Sequence, residues 1–304
     1  MSKNIAASVR QRLMNLNRSQ EQQQDFQKLL RLYALERLLY RLSQSDYKDA
    51  YILKGALLFS AWMSQPHRPT QDLDLLGLGN NTIPYLKQVF RDICRIPVED
   101  DGLVFLGEGV LVSVLQEGQK YEGVRIKLMA TLGKAQIPLQ VDIGFGQAVT
   151  PGPEVVAYPT LLDFPAPSVK AYPVQTAIAE KFQAMVSLEM NNSRMKDFYD
   201  LWVLGSNFQF EGQTLTQALK ATFERRQTPL PTATPVALTP EFSENPDKQY
   251  EWQNFLVKNR LLGADRKSLS EVTEFLQKFI MPPSIAAAQG KVFNKVWSKG
   301  GAWI

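Results

Sequence analysis

The chain is nearly devoid of cysteine and histidine. Its single cysteine, Cys94, excludes an internal disulfide and any thiolate-based zinc cluster. Its single histidine, His67, excludes a multi-histidine zinc site, and a Ser-His-Asp triad could rest on that residue alone. His67 reads as structural rather than catalytic. Long apolar runs are also missing. No stretch approaches the roughly 18 uninterrupted apolar residues that a membrane helix needs. The start, Met1-Ser2-Lys3-Asn4-Ile5, leads into a polar stretch without the apolar core of a secretion signal. These absences imply a cytoplasmic protein with no membrane partner. What remains is ordinary for a soluble chain: 304 residues, 44% hydrophobic and 21% charged, enough for one large or two medium domains.

The formal net charge is +4, and it is unevenly spread. Residues 1–50 carry nine Lys/Arg against five Asp/Glu, and residues 255–304 carry eight against three, so the middle of the chain is net acidic. An acidic centre suits a metal site. Basic ends suit a polyanionic partner, because phosphate contacts dominate nucleic-acid affinity, although ordinary solvated helix faces look the same by charge alone.

The most informative segment is Arg68-Pro69-Thr70-Gln71-Asp72-Leu73-Asp74-Leu75-Leu76. In a strand, Asp72 and Asp74 share one face and Leu73 and Leu75 the other. Two like charges side by side raise each other's pKa, and nothing nearby in sequence pairs them. A divalent cation resolves the conflict, and hard oxygen ligands with open positions suit Mg²⁺ (or Mn²⁺) carrying substrate phosphates.

Helical periodicity covers residues 5–44, with Phe26, Leu29, Leu30, Tyr33, Ala34, Leu38 and Leu39 on one face and Arg31, Glu36, Arg37 and Arg41 on the wetter side. A short strand at Tyr51-Ile52-Leu53, a buried helix over 56–63 and a helix over 83–94 capped by Thr82 follow. Antiparallel strands are expected at 103–106, 110–114 and 124–129. Ile137, Leu139, Val141 and Ile143 alternate with Pro138, Gln140 and Asp142, so Asp142 stands on the polar face of a half-buried strand. The prolines of 150–173 suggest an extended crossing segment. Helices are expected at 174–189, at 194–204 with Ser193 as its cap, at 215–226, at 248–262 and at 267–280, with a proline-rich linker at 228–240. In the tail, Phe293, Trp297 and Trp303 interleave with Lys291, Lys295 and Lys299, a pattern that suits packing better than base stacking. The division expected is an N-terminal helical segment (1–45), a core (46–165) and a mainly helical C-terminal domain (166–304).

Gly55 stands where a strand meets a helix, Asp72 and Asp74 follow on a second strand, and Asp142 shares their polar-face logic on a third. This pattern resembles the nucleotidyltransferase fold related to DNA polymerase β. Three carboxylates there hold metal ions that clamp the attacking oxygen, the α-phosphate and the leaving group. Gly55 would let backbone N–H groups approach phosphate at a helix N-terminus.

More specifically, the chain resembles the AbiEii/AbiGii toxin family of nucleotidyltransferases. Five segments carry the resemblance over about residues 50–205. They are Leu53-Lys54-Gly55-Ala56, Arg68 to Asp74, Val141-Asp142-Ile143, Ala179-Glu180-Lys181-Phe182 and Ser193-Arg194-Met195-Lys196-Asp197-Phe198-Tyr199-Asp200-Leu201. The family often has a second glycine where Ala56 stands, and many members have Ser at the place of Thr70. The resemblance implies an α+β nucleotidyltransferase fold, with a mixed sheet flanked by helices and a C-terminal helical domain. It implies NTP as substrate, Mg²⁺ dependence, and transfer to RNA such as a tRNA 3′ end. It also implies a cognate antitoxin, within a toxin–antitoxin or phage-defence pair. Asp72 and Asp74 are then metal ligands and Asp142 the third ligand or the base on the attacking hydroxyl, with Lys181 and Asp200 beside them in catalysis. Lys54, Gly55, Arg68, Thr70, Lys181 and Asp197 are candidates for holding the nucleotide. A lysine on a mostly apolar helix face needs a partner, and either a triphosphate or one of Asp197 and Asp200 would serve. The latter requires the turn at 191–193 to fold two helices together, since a continuous helix would separate Lys181 from Asp200 by about 28 Å. Two rival readings are kinase-like transfer of a γ-phosphoryl group and a non-catalytic nucleotide-binding module.

Overall fold

The structure, a computed structural model, describes residues 5–19, 25–63, 68, 70–117, 121–146, 149–261 and 266–304. His67 lies outside the described residues. In chain order the elements are α1 (Ile5–Ser19), α2 (Phe26–Ser43), β1 (Tyr51–Lys54), α3 (Leu58–Trp62), β2 (Leu73–Gly77), α4 (Ile83–Arg95), β3 (Leu103–Phe105), β4 (Leu111–Glu117), β5 (Tyr121–Leu132), β6 (Ala135–Phe145), β7 (Glu154–Ala157) and β8 (Ser168–Ala171). They continue with α5 (Val174–Leu188), α6 (Met195–Asn207), β9 (Phe210–Glu211), α7 (Gly212–Arg225), α8 (Pro240–Ser243), α9 (Pro246–Lys258), α10 (Leu269–Ala288) and β10 (Val296–Trp297). The chain divides into two compact units. The first holds residues 1–146 and 154–172, the second residues 147–153 and 173–304. The class is α+β, with a mixed sheet flanked by helices and a helical C-terminal part, as the sequence indicates.

The sheet of the first unit grows outward from β6. Ile137, Leu139, Val141 and Ile143 are buried while Pro138, Gln140 and Asp142 are not, so one face carries the core and the other the polar groups. β6 pairs antiparallel with β5 through the two-residue turn Gly133–Lys134 and parallel with β2. β2 runs antiparallel to β1, and β1 parallel to β8. Pro138 cannot donate to a ladder, and it lies outside the stretch of β6, Val141 to Phe145, that pairs with β2. α2 and α4 pack against this sheet.

Two strands of this sheet were not expected. β7 and β8 occupy the proline-marked segment 150–173 and pair antiparallel with each other. Each is only four residues long, and the flanking prolines mask so short an apolar alternation.

α2 is buried on nearly every side, so Glu36, Arg37 and Arg41, expected on a wetter face, are buried and must find partners inside. Arg37 Nε donates to Asp101 Oδ2 at 3.0 Å, and Arg41 clasps both carboxylate oxygens of Asp101 at 2.7 and 3.1 Å. Arg37 also reaches the Pro165 carbonyl, and the Leu161 N–H donates to Glu36 Oε2 at 2.7 Å. Asp101 and Arg37 are wholly buried. This network ties α2 to the loop before β3 and to the segment between β7 and β8.

The second unit is helical, with a small β9–β10 ladder. The proline-rich 228–240 segment is not a free linker: Ala237 and Leu238 are fully buried, and Gln277 Nε2 donates to the Leu238 carbonyl. α10 continues past the expected end at 280, through Pro282 and Pro283. Pro283 has no N–H for the Phe279 carbonyl four residues back, and the Trp303 indole Nε1 donates to that carbonyl at 2.9 Å instead. The tail is not helical. Trp297 is fully buried in β10, with its Nε1 donating to the Gly205 carbonyl at 2.7 Å. Its aromatics pack, as their pattern suggested.

Burial pushes the Glu36 carboxyl up to about 7, against the lowering influence of the Leu161 N–H and Arg37. The folded chain therefore binds this proton more tightly than the unfolded one, and Glu36 costs stability as pH rises from 4.5 to about 7. Glu36→Gln removes the cost. In urea unfolding, the variant should gain on the wild type by on the order of 3 kcal/mol between pH 4.5 and pH 8. A difference that stays flat with pH would contradict this placement of the proton.

Candidate functional site

Four adjacent strands of the first unit bring one residue each into a single row. Lys54 of β1 pairs with Asp74 of β2, Asp74 with Asp142 of β6, and Asp142 with Arg125 of β5. Directly paired residues share a sheet face. The row thus reads cation, carboxylate, carboxylate, cation. Asp72 lies two residues before Asp74, just ahead of β2, and both are half-buried. Gly55 follows β1 with φ +75, and a Cβ there would overlap the Asp74 carboxylate. The residue is glycine for two reasons at once: a left-handed backbone and the space that Asp74 occupies. Arg68 and Thr70 lead into Asp72, and the Thr70 hydroxyl makes a long 3.4 Å contact to the Asp72 carbonyl. Arg68 is half-buried.

Asp142 is engaged. Arg125 Nε donates to Oδ1 at 2.8 Å and Arg125 Nη2 to Oδ2 at 2.7 Å, and Gln140 Nε2 adds a contact to Oδ2 at 3.3 Å. Among the described residues, no group of three or more His, Cys, Asp or Glu stands close enough together to hold a metal. The donor chemistry of Asp72, Asp74 and Asp142 nonetheless suits a hard divalent cation. A carboxylate offers about four lone-pair sites, and on Asp142 Arg125 and Gln140 already take three of them. Beside Asp72 lies an open groove of about 470 Å³, lined among others by Arg31, Gln71, Lys127 and Gln140.

The second unit holds the other sequence candidates. The turn after α5 reverses the chain so that α6 packs against α5. Lys181 Nζ donates to Asp197 Oδ1 and to Asp200 Oδ2, both at 2.7 Å. The sequence left open which acid holds the lysine; both do. The two carboxylates are fully buried, while 15% of the lysine side chain stays exposed. Arg194 Nε reaches Asp197 Oδ2 at 2.7 Å. Burial raises the Asp197 carboxyl, but Lys181 and Arg194 outweigh it and hold the group below its ordinary value. Ser193 does not cap α6: the Asn192 side chain accepts from the Arg194 N–H at 2.9 Å and α6 starts at Met195. Nor does the Thr82 side chain cap α4, where Asn80 instead accepts from the Thr82 N–H.

Sequence reasoning missed Arg125 and Arg194. Arg194 sits inside the Ser193 to Leu201 segment, three residues before Asp197. Arg125 was legible through the hairpin: a two-residue turn at 133–134 pairs residue 132 with 135, and counting back seven places Arg125 opposite Asp142.

Two half-buried carboxylates paired in register on a mixed sheet, flanked by a lysine and an arginine, make a candidate site for a charged ligand. The description "Nucleotidyl transferase AbiEii toxin, Type IV TA system" matches residues 37–278, most of the chain. The chain belongs to this AbiEii family, and it is a nucleotidyltransferase. No curated protein matches it. Two crystal structures from Helicobacter pylori are similar at 14% identity and TM-score 0.47. One is of JHP933, covering 87% of this chain and 93% of that one, and the other is of a candidate nucleotidyltransferase, covering 88% and 97%. No helix among the described residues is long and apolar enough to cross a membrane.

Lys181→Met leaves two buried carboxylates without their shared cation, which should cost about 3–5 kcal/mol in urea unfolding. Adding Asp197→Asn and Asp200→Asn should restore most of that loss. A stable single variant would mean that the lysine does not hold the two helices.

Proposed function

We propose that the chain transfers a nucleoside monophosphate from an NTP to an acceptor hydroxyl, with RNA, such as a tRNA 3′ end, as the acceptor. The observation that carries this reading is the register Asp74–Asp142, with Asp72 two residues earlier and Gly55 making room beside Asp74. Asp72 and Asp74, joined by Asp142, hold the divalent cation, Mg²⁺ or Mn²⁺. When bound, that ion offsets the charge of the triphosphate and of the leaving group. Lys54, at one end of the row, adds a fixed positive charge for phosphate, and the backbone at Gly55 comes close to it. Arg68 and Thr70 serve the same end of the site. The acceptor hydroxyl oxygen bonds to the α-phosphorus as the bond to the β-phosphate oxygen breaks. Pyrophosphate leaves, and the hydroxyl proton passes to a carboxylate of the row.

The groove beside Asp72 supports an acceptor with a phosphate backbone, since Arg31 and Lys127 line it and both chain ends are basic. For Lys181, held by Asp197 and Asp200 within the second unit, we propose a phosphate-binding role through its exposed part. The chain acts as a cytoplasmic toxin, in a toxin–antitoxin or phage-defence pair, restrained by a cognate antitoxin.

The deciding experiment incubates the protein with Mg²⁺, total cellular RNA and each of the four NTPs, labelled at the α- or the γ-phosphate. α-label in a tRNA-sized band, absent with Asp72→Ala, is the expected result and names the base. γ-label transfer would replace the reading with a kinase-like one. Binding of NTP with no labelled product would replace it with a nucleotide-binding module.

A further inference from the structure

Asp142 is neutralised before any metal arrives. Arg125 grips both of its oxygens in the two-point geometry that a guanidinium makes with a carboxylate, and Gln140 takes a third position. A cation approaching Asp142 must compete with a charge already bound there. The pair is not sealed: 32% of the Arg125 side chain and 21% of that of Asp142 are exposed, so solvent and an incoming anion can reach it. The fork that fits a carboxylate fits a phosphate equally well. Arg125 can therefore exchange Asp142 for a phosphate without losing its hydrogen bonds, and the exchange frees Asp142.

We propose that Arg125 is a positioning residue that withholds Asp142 from the divalent cation until a substrate phosphate draws the guanidinium away. The resting chain takes its cation through Asp72 and Asp74 alone, and Asp142 joins only when phosphate is present. The inference rests on the metal reading of these three carboxylates given above. It adds a consequence that the reading lacks: cation and phosphate binding reinforce each other, and the coupling passes through one side chain.

The test needs no catalysis. Mn²⁺ binding, without nucleotide, is followed by electron paramagnetic resonance in the wild type, Arg125→Gln, Asp142→Asn, the double variant and Asp72→Ala. Arg125→Gln should bind Mn²⁺ about tenfold more tightly, within the ~5–150-fold range usual for coupled sites. Asp142→Asn alone should stay within about twofold of the wild type, yet it should abolish the gain when added to Arg125→Gln. Arg125→Lys keeps the charge, gives up the fork, and should show a smaller gain; it carries the test if Arg125→Gln does not fold. Wild-type binding that is lost in Asp72→Ala but unchanged by Arg125→Gln and Arg125→Lys overturns the inference alone. An equal loss on adding Asp142→Asn to either background also overturns it, because Asp142 would then already be a ligand. No Mn²⁺ binding in any variant overturns the inference and the metal reading together.

Discussion

The parallel pairing of β2 with β6 is the constraint on which the candidate site depends, because it sets Asp74 directly beside Asp142. Neighbouring strands lie about 4.8 Å apart, so two carboxylates in register repel unless something compensates. The sheet supplies compensation at both ends of the row, with Lys54 across from Asp74 and Arg125 across from Asp142. A one-residue slip of β2 would turn Asp74 into the core and Leu73 or Leu75 out to the polar face. The buried leucines therefore lock the register that brings the acids together, and the same residues that build the core aim the chemistry.

Carboxylates elsewhere in the chain are handled in a related way, each within its own unit. Asp101 in the first unit is wholly buried and gripped by Arg37 and Arg41. In the second unit the ratio is reversed for Lys181, which serves two buried carboxylates, with Arg194 added on Asp197. Such buried ion pairs fix geometry more reliably than they add net stability, since desolvation offsets most of the attraction. The Asp74–Asp142 row differs in being only partly buried. Asp142 and Arg125 keep part of their side chains in solvent, while Asp101 and Asp197 have none there.

Much of this was legible in the chain. The alternation from Ile137 to Ile143 carries both the strand and the face of Asp142, and the helical stretches follow their apolar spacing. What escaped did so for identifiable reasons. β7 and β8 are too short, and too closely bracketed by prolines, to show a period. The 228–240 segment reads as a linker by composition, yet Ala237 and Leu238 find a pocket among helices distant in sequence. α10 runs past Pro282 and Pro283 because Trp303, twenty residues on, satisfies a carbonyl that Pro283 leaves open. Local signals cannot report such tertiary partners. Arg125 is the instructive case. Its partner lies 17 residues away, but the tight turn at Gly133–Lys134 makes that distance countable.

The account stands on the space that Gly55 leaves for the Asp74 carboxylate. Its most direct test is α-phosphate label transfer by Gly55→Ala, measured per folded molecule with circular dichroism as the control. An added methyl group must displace Asp74 from its place in the row, and a displacement of the order of 1 Å costs about 10²-fold in rate. The account predicts a loss of that size in a chain that keeps its secondary structure. Transfer at the wild-type rate would show that the position of Asp74 beside Gly55 does not govern the reaction, and the site would have to be sought elsewhere on the chain.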